Sequence, residues 1–109
     1  MHKQIYDKLK EVARGQRITY YSDIAPMAGL DMNLPHDRYE IGAILDDINR
    51  HEHAGKRPML SAVVVHKDSL KPGTGFFTLA RALSLFDGED EDKFYIHELR
   101  KVHDYWASH

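Results

Sequence analysis

Ile41, Ile44, Leu45 and Ile48 recur at i, i+3, i+4 and i+7 without a miss. That spacing puts four branched apolar side chains on one face of an α-helix and obliges the chain to bury that face. Pro35 suits an initial helical position, Asp37 suits the first turn, and Gly55 ends the segment. Gly42 lies inside this helix at a cost of about 1 kcal/mol relative to Ala. A glycine so placed lets another backbone approach closely.

Around this helix the reading is mostly helical. Ile5, Leu9, Val12 and Ala13 share one face of a first helix that Gly15 stops. "RITYY" (Arg17 to Tyr21) reads as a short strand. Ser22 reads as the N-cap of a short helix over Ile24 to Ala28. Leu60 to Val65 reads as a strand, and its three valines imply burial on both faces. "HKDSLKPGTG" is turn-rich. Phe76 to Leu85 is apolar nearly all round and reads as a buried helix. A last helix carries Tyr95, Leu99, Val102 and Trp106 on one face, after the acidic linker "DGEDED".

The 109 residues suit one domain with one modest core. No apolar run approaches the roughly 18 residues of a membrane span. "MHKQIYDKLK" lacks the apolar stretch of a secretion signal. With no cysteine, the chain has no disulfide, thiolate nucleophile or Cys-based zinc site, and a cytoplasmic location is the expectation. The net charge of −2 hides alternation: residues 1–20 carry +3, 21–49 carry −5, 50–71 carry +3 and 72–109 carry −3. Such a chain is no general polyanion binder, but its first and third segments would make a local basic face.

Two adjacent helices, a strand and a loop are the order of a winged helix-turn-helix. The expected fold is therefore α+β, with a winged-helix core over 1–75 and two further C-terminal helices over 76–109 packed on it. The loop after the strand would be the wing. The residues also resemble a family. "IYDKLKEVARGQRITYYSDIAPMAGL" (Ile5 to Leu30) is similar to the opening of the DNA-binding domain of O6-alkylguanine DNA alkyltransferases and alkyltransferase-like proteins. "IGAIL" (Ile41 to Leu45) is similar to the core of their recognition helix, and "RPMLSAVVV" falls where the family has "IPCHRVV". The resemblance implies non-enzymatic binding of double-stranded DNA. Tyr21 matches the family's DNA-rotating tyrosine. Tyr39 matches its arginine finger, with Arg38 one residue and about 100° away around the helix. Met59 falls at the nucleophile position, where a thioether excludes alkyl transfer, and Leu60 and Ser61 fall at the His-Arg pair.

The nucleic-acid-binding set expected from this reading is Arg17, Tyr21, Arg38, Tyr39, Lys56, Arg57, Lys67 and Lys71. The cations would meet phosphates and the tyrosines would stack or wedge at bases. Glu40, Asp46 and Asp47 on the same helix would have to face away. "HEHAG" (His51 to Gly55) lacks the spacing of a helical zinc motif, so no metal or other cofactor is expected. Ser61 and Ser69 lack a nucleophile-elbow context, and "KPGTG" is too short for a phosphate-binding loop of the Lys-Ser/Thr type. The alternative reading is a protein-interaction adaptor on the same fold. Its homodimer or protein partner would dock through the C-terminal helices, whose Tyr and Trp suit an interface.

Overall fold

A computed structural model describes residues 1–109. Five helices surround a two-stranded parallel sheet. They are α1 (Lys3–Arg14), α2 (Tyr21–Ile24), α3 (Pro35–Ala54), α4 (Thr74–Ala82) and α5 (Glu91–Trp106), with β1 (Thr19–Tyr20) and β2 (Val64–Val65). Two 3₁₀ turns, Ala25–Ala28 and Leu60–Val63, complete the chain. No helix is long and apolar enough to cross a membrane.

The helix ends follow local chemistry. The His2 imidazole accepts from the Ile5 N–H at 3.2 Å and caps α1. The Asp90 carboxylate accepts from the Lys93 N–H at 3.0 Å and caps α5, where Glu91 and Asp92 complement the helix dipole. Gly29, at φ +71°, takes the left-handed turn that closes the first 3₁₀ turn. α2 begins at Tyr21 rather than after Ser22, and no side chain caps it.

Ile5, Leu9, Ile41, Ile48 and Val63 to Val65 form the centre of one core, fully or almost fully buried. The segment Leu60–Val63 packs against α1, α3 and α5 together. It is not the strand expected from its composition. Only Val64 and Val65 pair, with Thr19 and Tyr20, and in parallel. A wing would need an antiparallel partner after β2. Instead the His66 N–H donates to the Lys71 carbonyl at 2.8 Å, and the chain turns directly into α4.

The last two helices close the other side. Tyr95, Val102 and Trp106 of α5 are buried, and so is the carboxylate-bearing Glu98 among them. Phe76, Phe77, Phe86 and Phe94 pack ring against ring beneath them, with Phe86 and Phe94 stacked at 4.7 Å. A second chain docking on α5 would meet the exposed Ile96 rather than the aromatic stripe.

Candidate nucleic-acid interface and the adjoining cavity

α3 has a buried face and an open one. Ile41, Leu45 and Ile48 point inward, while Gly42 and Ala43 are exposed. Arg38 and Tyr39 stand one turn earlier on the open side, and Tyr39 keeps 74% of its surface. The Asp37 carboxylate accepts from the Asp31 N–H at 2.9 Å, which ties the preceding loop to the first turn of α3.

Beside this face lies a cavity of about 330 Å³ between α3, the second 3₁₀ turn and the start of α4. Arg38, Gly42 and Asp46 form one wall, one helical turn apart. Asn49 and Ser61 lie at its inner end, almost fully buried. The Asn49 Nδ2 donates to Ser61 Oγ at 2.7 Å, and the Ser61 N–H donates to Asn49 Oδ1 at 3.0 Å. Ser61 Oγ thus acts as an acceptor, and no acceptor in the chain takes its own proton.

The opposite wall is Tyr21, His66 and residues 73–76. Tyr21 and His66 are stacked, with centroids 4.5 Å apart and 27° between planes. The Gly73 N–H donates to Tyr21 Oη at 2.8 Å. Burial pushes the Tyr21 hydroxyl above its ordinary range, opposed by that amide. Burial also raises Asp46, opposed by Arg50. Gly42 and Gly75 both border the cavity, and a Cβ built on either meets no atom within 4 Å.

The eight residues expected at a nucleic-acid surface do not converge. Arg38 and Tyr21 share the cavity, whereas the exposed Tyr39 does not line it. Lys67 lies at a shallow recess with Tyr21 and His66, its ammonium 5.6 Å from the Tyr20 ring. Lys71, in the same loop, is exposed and meets Asp92 at 3.1 Å. Lys56 and Arg57 follow the far end of α3. From Arg38 to Ala54 the helix runs about 24 Å, and both residues line a different groove, against Lys101 and Tyr105 of α5. Arg57 is committed inward, its Nε and Nη2 donating to the two oxygens of Glu52 at 3.0 and 3.2 Å. Arg17 sits by the α1 terminus, 4.0 Å from Glu11, and its carbonyl is hydrogen-bonded to the His103 ring. Tyr21 is held by its stack and its hydroxyl bond, so it is a wall of the site rather than a free wedge.

Met59 is 1% exposed and belongs to the core. The residue of that stretch that reaches the cavity is Ser61, two positions on. Asn49, Ser61, His66, Thr74 and Gly75 are the site residues that sequence reasoning did not select. The mid-helix Gly42 was the one local signal, since a costly glycine asks for a reason. The sequence and the fold match no family model, no curated protein and no solved structure.

Proposed function

We propose that this chain binds double-stranded DNA without chemistry, as a helix-turn-helix protein of alkyltransferase-like type in which a tight loop replaces the β-hairpin wing. The observation that carries this reading is the open face of α3. Gly42 and Ala43 leave its backbone uncovered, one turn after Arg38 and the largely exposed ring of Tyr39. A helix that enters a major groove needs small residues where it approaches, a cation for phosphate and a planar group at the bases. Lys67 and Lys71 supply two more cations from the neighbouring loop. Lys71 would exchange the Asp92 carboxylate for a phosphate, and an exposed ion pair of that kind holds by less than about 1 kcal/mol. Arg57, Lys56 and Arg17 take no part in this surface.

Fluorescence anisotropy with a labelled duplex tests the reading. Three cations on phosphate give a salt slope of about −2.7, hence about 40-fold weaker binding at 200 mM than at 50 mM salt. Lys67→Glu with Lys71→Glu should weaken binding to every sequence alike. Absence of binding at about 50 mM salt would sink the proposal.

A further inference from the structure

The acidic segment before α5 holds one of the cations on the proposed duplex surface. Residues 87–92 carry five carboxylates in six positions. Asp90 caps α5, and Glu91 meets Arg81 at 3.3 Å. Asp92 reaches back 21 residues to Lys71, whose ammonium lies 3.1 Å from Oδ1 and 3.3 Å from Oδ2. Local structure sets both ends of this contact. The His66 N–H donates to the Lys71 carbonyl at 2.8 Å, and the Lys71 N–H donates to Ser69 Oγ at 3.3 Å. Asp92 stands in the first turn of α5, which the Asp90 cap closes and the buried Tyr95 anchors. Only the two side chains remain to be ordered when the pair forms. Arg38 and Lys67, the other cations of that surface, form no ion pair.

We propose that this contact is autoinhibitory: the Asp92 carboxylate takes the place of a DNA phosphate on Lys71 and holds duplex affinity down. The inference rests on the duplex reading above and adds its regulation. To an ammonium, a carboxylate and a phosphate are the same kind of partner, since both offer anionic oxygens at hydrogen-bond distance. A duplex must therefore displace Asp92 before Lys71 can meet its backbone. The displaced acid then stays within the screening length of about 8 Å from the phosphate that replaced it, and repels it. Exposure bounds the effect. Both side chains keep more than half of their surface, so the pair acts with the modest strength of a surface contact. Removing the Asp92 charge should tighten duplex binding by about two- to fivefold.

The test is duplex binding by fluorescence anisotropy for the parent, Asp92→Asn, Lys71→Ala and the double variant. Asp92→Asn keeps the size of the side chain and leaves the Asp90 cap in place, so the fold is spared. It should bind about two- to fivefold tighter than the parent at about 50 mM salt, and the gain should shrink at about 200 mM because exposed charges are screened. In the Lys71→Ala background the same substitution should gain less, since the cation it frees is gone. Asp87→Asn, which removes an acid of the same segment that pairs with no cation, should also gain less. The inference is overturned if Asp92→Asn binds like the parent, if it gains as much without Lys71, or if Asp87→Asn gains as much. In each of those cases the duplex still binds, and the duplex reading stands. If neither the parent nor Asp92→Asn binds at about 50 mM salt, the duplex reading itself has failed and the inference falls with it.

Discussion

Arg57→Met would strand a buried charge. Glu52 is fully buried, and three donors hold its carboxylate: the Tyr6 hydroxyl at 2.6 Å and two Arg57 nitrogens at 3.0 and 3.2 Å. The substitution removes both nitrogens and leaves the apolar stem in place. Removing one partner of a buried pair costs about 3–5 kcal/mol. Arg57 keeps 22% of its side-chain surface, so the lower end applies. The expected loss is therefore about 3 kcal/mol at pH 7. Near 100 residues each kcal/mol moves Tm by about 4 °C, so the shift at pH 7 is about 12 °C. Urea denaturation at pH 7 measures it. Glu52→Gln combined with Arg57→Met should recover part of the loss, because no charge is then stranded. A loss below about 1 kcal/mol at pH 7 would refute the picture of a buried carboxylate that depends on Arg57.

Gly42→Ala should stabilise the fold by about 1 kcal/mol through helix propensity, since its Cβ meets nothing, while weakening duplex binding by crowding the open face. Thermal unfolding and anisotropy on one sample check both signs. Asn49→Ala should cost about 2–3 kcal/mol by orphaning the buried Ser61 N–H, and proton exchange at that amide should accelerate. The Tyr6 hydroxyl is pushed up to about 12 by burial and then by its bond to Glu52. The Tyr95 hydroxyl is pushed up to about 12, chiefly by burial. The native state thus holds both protons more tightly than the unfolded chain, whose tyrosines titrate near 10. Stability from these groups is complete below pH 10 and is lost as pH rises toward 12. Tyr6→Phe and Tyr95→Phe should each flatten that decline in unfolding measured from pH 9 to 12.

The helices were legible because their signal is periodic and local. Ile41, Ile44, Leu45 and Ile48 placed α3, and Gly15 and Gly55 marked the ends of α1 and α3. "LSAVVV" was misleading for a reason that lies elsewhere in the chain. A strand forms when a neighbouring strand satisfies its backbone. Here side chains do so. Glu98 accepts from the Met59 N–H at 2.9 Å, Asn49 accepts from the Ser61 N–H, and the Tyr95 hydroxyl donates to the Ala62 carbonyl at 2.9 Å. These partners come from 12 to 39 residues away, so no window around Leu60 reveals them. The basic set failed as a cluster for a related reason. Arg57 looks like a surface cation until Glu52 is known to be buried beside it, and charged residues ordinarily solvate.

The same three bonds bear on the cavity. They draw residues 59–62 toward α3 and α5, and Asn49 fixes the rotamer of Ser61 from the core side. Buried polar groups that face the core are satisfied, and Trp106 Nε1 is the sole buried side-chain nitrogen or oxygen without a partner. Thr74 and Gly75 lie at the exposed start of α4, where the first amides of a helix are left to water. The cavity wall and the open face of α3 meet at Arg38 and Gly42. A duplex on α3 would therefore draw on a guanidinium that also lines the cavity.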